Sequence, residues 1–390
     1  MPPLVRFGAG RIAEIGGIVA LHGRRAWLVG GRRSLLEAAA RPVLEASLAA
    51  VGVEHRVIAT TDGEPTVGQV ASALAGLPPD DLEGAVVVAV GGGSAIDLAK
   101  AVAALATNCD LATAKDHDFE ALVTDHLEGV GTRTITGWPL PVVAIPTTAG
   151  TGAEATRNAV ISCPRRRFKK SMRSPLMVPR AVLVDPALGV GCPRTTIAAA
   201  GLDAITQLVE SFICRFAQPL PRALVLDTLP RALAALPRLL ADPTDLDAQA
   251  AMSHAAFVSG VALTNSGLGM AHGVAAALGI ECGTPHGVAC AVMLPVALRV
   301  NAAAAERDLA LLERAIDPAA FGDDGALAAA FMARIERLCR AAGVPQRLSD
   351  VGLTRERVAW VAEHSGGASM RGNPVELDAA RLRPILEAAF

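Results

Sequence analysis

Along residues 1–190, short apolar runs alternate with longer stretches of helical spacing. Trp27–Gly30 is a brief run ending in glycine, and Ala85–Val90 (AVVVAV) is apolar at every position. Val142–Ile145 and Val182–Val184 are shorter runs of the same kind. A strand with no polar side is one covered by helices on both faces, as in a parallel sheet. Between these runs, Ser34–Ala50 and Ala95–Ala106 carry helical periodicity. The alternation predicts an open, doubly wound, Rossmann-like α/β sheet. From residue 192 the strand-like runs vanish and Ala/Leu-rich helical spacing takes over, punctuated by Pro230, Pro237 and Pro243. Proline inside such a pattern breaks or kinks a helix. The expected organisation is an α/β domain over 1–191 followed by an all-helical domain over 192–390.

Two stretches fit neither pattern. Residues 108–141 read as a connecting excursion in which Asp110, Asp116, His117, Asp118, Asp125 and His126 precede a Gly/Pro-rich segment. Those side chains are expected on a solvated surface. Pro164–Lys170 (PRRRFKK) reads as an exposed basic loop.

Composition narrows the function classes. Hydrophobic residues make up 52% and charged residues 19%, which marks a folded chain with a large core. The net charge of −2 gives no electrostatic case for nucleic acid or an anionic membrane. Seven cysteines without a CxxC pair are read as reduced thiols of a cytoplasmic protein. The N-terminus lacks the apolar core of a secretory signal, and no apolar run approaches the ~20 residues of a spanning helix. The Ala-rich stretches 95–107 and 323–333 are expected as buried helices.

Candidate chemistry lies at two places. In GGGSAIDLAK (91–100), Gly91, Gly92 and Gly93 follow a buried strand and Ser94 opens a helix. Glycine lets backbone approach a phosphate closely, and a helix's first-turn N–H groups and dipole favour an anion. Ser94 is placed to cap that helix, with Asp97 in its first turn. AIPTTAGTGAEAT (144–156) is a second strand-then-turn, with Thr147, Thr148 and Thr151 offering hydroxyls. The usual GxGxxG fingerprint is absent from the first βα turn. Further on, Asp203 sits in GLDAITQLVES, His272 in GLGMAHGVAAALG and His286 in TPHGVACAVMLP. One carboxylate and two imidazoles suit Zn or Fe(II) and leave a coordination position open for substrate. Gln207, four residues after Asp203, shares its helix face. Spacing alone leaves ordinary core histidines as an equal reading. The remaining histidines, 22, 55, 117, 126, 254 and 364, read as structural or exposed.

These motifs, with DPAL at 185–188, occur in the order seen in the iron-containing (group III) alcohol dehydrogenases, and the chain resembles that family over nearly its whole length. The resemblance implies a dehydroquinate-synthase-like fold, with an NAD(P)-binding α/β domain, a helical metal-binding domain and an active site in the cleft between them. It implies that Asp203, His272 and His286 hold the metal. Gly91 to Ser94 and Asp97 would meet the pyrophosphate, Thr147 and Thr148 would lie near the phosphates or nicotinamide, and Asn158 would line the substrate pocket. A homo-oligomer is also a family expectation.

The chain departs from the family pattern twice. Gln207 stands where the usual motif has histidine; it is expected either as a poor fourth ligand or as the holder of a metal-bound water. Ala276 stands where many members have a histidine near the nicotinamide. After the strand Trp27–Val29, many NAD-preferring members have an aspartate for the ribose; here the stretch is Gly30-Gly31-Arg32-Arg33, which favours NADPH. The expected activity is NAD(P)-dependent, metal-assisted alcohol oxidation or carbonyl reduction on a small substrate. Arg157, Lys169, Lys170 and Arg371 are candidates to meet an anionic group on it. Two other readings are a dinucleotide-binding module that has lost catalysis and a dehydroquinate-synthase-like lyase.

Overall fold

The computed structural model describes residues 1–111 and 118–390. Asp116 and His117, expected on a solvated surface, lie outside the described residues. The chain divides into two compact units, one of residues 1–148 and 153–189, the other of 149–152 and 190–390.

The first unit is built on a six-stranded sheet. Its strands are β1 (Leu4–Phe7), β2 (Arg25–Gly31), β3 (Glu54–Thr61), β4 (Ala85–Gly91), β5 (Val142–Pro146) and β8 (Ala181–Val184), in the order β1-β8-β5-β4-β2-β3. All pairings are parallel. This is the doubly wound sheet that the apolar runs predicted. β4 is buried at every residue, and β2 at all but its ends. From β2 the chain winds outward to β3, whereas from β4 it winds the other way to β5. The winding therefore reverses between β2 and β4, and ligands of such sheets bind outside the carboxyl ends of the strands at that point. Gly31 and Gly91 are the two strand ends there.

Several expectations need correction in this unit. Ser34–Ala50 is not one helix: a short wide turn of π-helix over Arg32–Leu36 ends at residue 37, and the helix proper is Arg41–Ala49. Pro42 at the start of that helix suits a helix's beginning and not its interior. The basic run is not a free loop either. Phe168–Arg173 forms β7, paired antiparallel with β6 (Asn158–Cys163), and Arg167 makes the turn with a φ of 50°. The hairpin survives its charge because Lys169 pairs with Glu64 and Arg165 with Glu120. His126 is buried, not solvated. Its Nδ1 lies 2.9 Å from the Leu122 carbonyl, one turn back in the helix Phe119–Asp125.

The DPAL motif has a structural task. Asp185, buried just past β8, accepts the Ile12 and Ala187 N–H groups at 3.0 and 3.1 Å.

The second unit is helical. Its core helices are Arg194–Ile213, Pro219–Ala241, Leu246–Asn265, Met270–Cys282, His286–Asn301, Glu306–Ile316 and Asp324–Ala342. One apolar cluster, centred on Leu202, Leu208, Phe212, Leu229, Leu236 and Phe331, ties most of them together. Pro230 and Pro237 were expected to interrupt the pattern, yet Pro219–Ala241 is assigned as one helix through both. Each proline removes one intrahelical bond; Leu229, Ala232 and Leu236, all buried against neighbouring helices, hold the segment helical. The 323–333 stretch lies in a helix with only one buried face, formed by Leu327, Ala328 and Phe331. Arg194–Ile213 is long and apolar enough to cross a membrane by composition, but 83% of its most apolar stretch is buried in the structure and it carries Asp203 at its centre.

Candidate functional site

In the α/β unit the sheet delivers its glycines to one place. Gly91 ends β4 with a φ of 152°, and Gly92, in extended conformation, leads into the helix Gly93–Asn108. Ser94 is therefore not the cap. The helix begins one residue before it, and no side chain caps its first turn. The Ala95 N–H donates to the Gly92 carbonyl at 3.0 Å, so the earlier N–H groups of that turn are the ones suited to an anion.

Close approach explains the glycines. A Cβ on Gly91 would lie 2.7 Å from Ala95 Cβ and 3.0 Å from Ser34 Oγ, and one on Gly92 would lie 2.9 Å from Thr148 Oγ1. A Cβ on Gly31 would lie 2.7 Å from Ser34 Oγ. Thr147 N–H donates to the Gly91 carbonyl at 3.0 Å. Gly31, Gly91, Gly92, Thr147 and Thr148 thus gather at the carboxyl ends of β2, β4 and β5. Beyond Gly31, Arg32 Nε is 3.2 Å from Asp62, a carboxylate just past the end of β3.

Asp97 is engaged elsewhere. Its carboxylate accepts the Val160 N–H of β6 at 3.0 Å and lies 3.9 Å from Lys100 Nζ. Lys100 is fully buried, donating to the Ala153 carbonyl at 3.0 Å and Thr156 Oγ1 at 2.8 Å. Burial dominates this group's chemistry. It raises Asp97 to about 6 and Glu154 to about 7, and lowers Lys100 to about 8. Asn158 begins β6 opposite Arg173. Of the four cations considered for an anionic substrate, Lys169 is taken by Glu64, Lys170 and Arg371 are exposed, and Arg157 has a buried Nε with no hydrogen-bond partner.

In the helical unit three helices converge on one point. Asp203 lies midway along Arg194–Ile213, His272 in the first turn of Met270–Cys282, and His286 at the first residue of His286–Asn301. Asp203 Oδ1 is 3.3 Å from His272 Nε2 and 3.8 Å from His286 Nε2. Asp203 Oδ1 and His272 Nε2 are buried and form no hydrogen bond. Such orphaned donors and acceptors fit a divalent cation, and the oxygen–nitrogen donor set suits Zn or Fe(II). Burial opposes Asp203's charge, but His286 and His272 facing it hold its carboxyl below the ordinary value. Burial likewise opposes charge on His272; its neighbours Cys290, Asp203 and Glu210 raise its pKa well above the usual imidazole value.

Gln207 is buried with its amide oxygen 2.6 Å from Ser259 Oγ. Ala276 is half-buried on the His272 helix.

Two residues escaped the sequence reading. Glu210 is buried, with Oε2 2.7 Å from His272 Nδ1 and Oε1 accepting the Ala271 N–H at 2.7 Å. It fixes the ring and caps the helix that carries it. Asn373 adds a second acceptor there, for the Met270 N–H at 3.1 Å. Cys290 is fully buried with Sγ 3.7 Å from His286 Nε2, and ligand atoms of Asp203, His272, His286 and Cys290 all lie within 4.8 Å of one another. The available signal was helical spacing: Glu210 is seven residues after Asp203, and Cys290 four after His286.

Known proteins match this arrangement along both units. Residues 2–186 match the model of the iron-containing alcohol dehydrogenases, and 197–390 match the C-terminal model of the same family. Lactaldehyde reductase of Escherichia coli (strain K12) is 31% identical over 385 residues, 98% of this chain and 95% of that one. The crystal structure of a 1,3-propanediol oxidoreductase has a TM-score of 0.88 at 29% identity, covering 100% of this chain and 98% of that one. Sulfoacetaldehyde reductase from Bifidobacterium kashiwanohense, solved in complex with NAD+, has a TM-score of 0.83 at 27% identity, covering 100% and 97%. The resemblance read from the motifs is borne out: the chain belongs to the iron-containing alcohol dehydrogenase family and is an enzyme that interconverts alcohols and aldehydes.

Proposed function

We propose that Asp203, His272 and His286 hold the catalytic divalent metal, and that Gly31, Gly91, Gly92, Gly93, Ser94, Thr147 and Thr148 hold the phosphates of NAD(P). The observation that carries the first assignment is the pair of orphaned buried atoms, Asp203 Oδ1 and His272 Nε2, turned toward each other beside His286. A divalent metal at that point acts as a Lewis acid on a substrate oxygen. Gly31, Gly91, Gly92 and their neighbours would hold the dinucleotide, whose nicotinamide would supply the hydride chemistry. The chain supplies placement. Glu210 keeps the Nδ1 proton on His272 so that Nε2 offers its lone pair. The uncapped first turn after Gly92 offers N–H groups to the pyrophosphate. Asp97 and Lys100 support that turn from behind, through β6 and the Ala153 carbonyl, and do not meet phosphate themselves.

The dinucleotide is NADPH in this reading. Arg32 is held by an exposed aspartate, Asp62, and a 2′-phosphate can take that aspartate's place. The substrate is a small aldehyde or alcohol, with Arg157 the cation best placed to be satisfied by an anionic group, since its buried Nε has no other partner. The sulfoacetaldehyde reductase relative is named for such a substrate.

The test pairs metal analysis with NAD(P)H oxidation over a panel of small neutral and anionic aldehydes. Wild-type protein should hold close to one metal per chain and turn over, and Asp203→Ala should lose both together. Turnover persisting in metal-free Asp203→Ala would overturn the metal assignment. Equal kcat/KM with NADH and NADPH, unchanged in Arg32→Ala, would overturn the cofactor preference.

A further inference from the structure

We infer that Cys290 is a fourth protein ligand of this metal, supplying a thiolate, and that the centre is thereby built for zinc. The inference rests on the metal reading above and adds a donor to it, so that the substrate oxygen enters as a fifth ligand.

Geometry carries it. With metal–nitrogen and metal–oxygen bonds of about 2.05 Å and a metal–sulfur bond of about 2.3 Å, a tetrahedral centre separates N from O by about 3.3 Å and N from S by about 3.6 Å. The observed separations are 3.3 Å for His272 Nε2 to Asp203 Oδ1 and 3.7 Å for Cys290 Sγ to His286 Nε2. The third edge, His286 Nε2 to Asp203 Oδ1, is 3.8 Å, longer by about half an ångström. All four donor atoms fall within 4.8 Å of one another, close enough to face a single ion.

Local structure places the sulfur there. His286 and Cys290 are one turn apart on the same helix and present neighbouring side chains to one point. Cys290 is completely buried, in the same pocket as the orphaned Asp203 and His272 atoms. Gln207, the other side chain near Asp203 on its helix, has its amide oxygen hydrogen-bonded to Ser259. Among the described residues, the sulfur is the remaining donor grouped with the triad.

The chemistry follows from donor softness. An O,N,N set accepts iron(II) and zinc alike, whereas adding a thiolate moves the preference to zinc. When the metal–sulfur bond forms, the sulfur's hydrogen leaves as a proton to solvent, and no electron changes hands.

The experiment uses the full-length protein, stripped of metal and reloaded with cobalt(II) in place of zinc. A sulfur ligand gives an intense near-ultraviolet charge-transfer band, whereas nitrogen and oxygen ligands give only the weak visible bands. Wild type should show the charge-transfer band at one cobalt per chain. Cys290→Ser and Cys290→Ala should lose it while keeping the visible bands. Zinc affinity by chelator competition should fall about 100-fold or more, beyond what an outer-shell partner costs. Because wild type alone reports the band, poor folding of a variant does not leave the question open. Stoichiometric cobalt without the band, or a band that survives in both variants, overturns the inference while leaving the three-residue metal reading intact. Wild type that takes up neither cobalt nor zinc overturns both.

Discussion

Glu210→Gln separates orientation of the metal site from its mere construction. In the native protein Glu210 Oε2 accepts from His272 Nδ1 at 2.7 Å, so the neutral ring that binds metal has its lone pair on Nε2, 3.3 Å from Asp203 Oδ1. Glu210 Oε1 meanwhile accepts the Ala271 N–H at 2.7 Å. An amide of the same shape has one acceptor and one donor. If its oxygen keeps Ala271, its NH2 group faces Nδ1, and the ring moves its proton to Nε2 to keep both bonds. That tautomer suits the metal-free protein but puts a proton where the metal bond must form. Loading then requires the proton to return to Nδ1 against the amide NH2, without the charge-assisted bond to carboxylate that wild type keeps on loading, a difference of about 1.5–3 kcal/mol. At about 1.4 kcal/mol per tenfold, metal affinity should fall roughly 10- to 100-fold, while the Tm of the metal-free protein moves by only a few degrees. Chelator competition and thermal melts of stripped protein measure the two quantities. Unchanged metal affinity would refute the orientation argument and leave Glu210 as a helix cap alone. A parallel collapse of metal-free stability would refute the tautomer account, since it requires that state to keep its bonds.

Three further outcomes concern the α/β unit. Lys100→Met should destabilise by about 3–5 kcal/mol in denaturant melts, because it leaves Asp97, the Ala153 carbonyl and Thr156 without their buried cation; a loss under 1 kcal/mol would show the cluster adjusts freely. Burial raises Glu154 from 4.5 to about 7, so the folded state holds a proton that the unfolded state releases, and stability should decline as pH rises through that window. Glu154→Gln should flatten that decline by about 3 kcal/mol, and an identical pH profile would show Glu154 titrates normally. Gly92→Ala, whose Cβ would press on Thr148 Oγ1 at 2.9 Å, should raise KM for the dinucleotide tenfold or more at nearly unchanged Tm; a normal KM would place the phosphates elsewhere.

Strands buried on both faces announce themselves in one dimension. β4, β5 and β8 appear as apolar runs because every residue is covered. β3 and β7 were missed because β3 is largely exposed and β7 is basic; the latter is held by cross-strand pairing with β6 and by ion pairs. The Ser34–Ala50 pattern misled because helical spacing of apolar residues does not show where the backbone widens at Arg32–Leu36. His126 carried no sign of burial, since its partner is a carbonyl one turn back and not a side chain. At the candidate metal centre, Asp203, His272 and His286 stood out by residue type and glycine-rich context. Cys290 and Glu210 lay inside the same motifs, but Cys290 counted only as one of seven reduced thiols and Glu210 drew no reading. Their importance depends on three helices meeting, which no single helical period encodes.

That meeting also explains why the centre is so deeply built. An unpaired buried polar atom costs roughly 1–3 kcal/mol, more when charged, and this unit concentrates two of them, Asp203 Oδ1 and His272 Nε2, at one point. A fold selected for stability alone would place leucine or valine there, as it does at Leu202 and Leu208 on the same helix. The surrounding structure instead spends polar groups on holding the arrangement. Glu210 and Asn373 satisfy the first turn of the His272 helix, and Asn373 is itself paired with Asn301 through two side-chain hydrogen bonds of 2.8 and 2.9 Å. Gly269 preceding that helix is required as well, since a Cβ there would lie 2.8 Å from Glu210. These groups fix where the His272 ring sits before any ion arrives. Such preorganisation lowers the reorganisation needed on binding, and it makes the site's affinity sensitive to residues that never touch the metal.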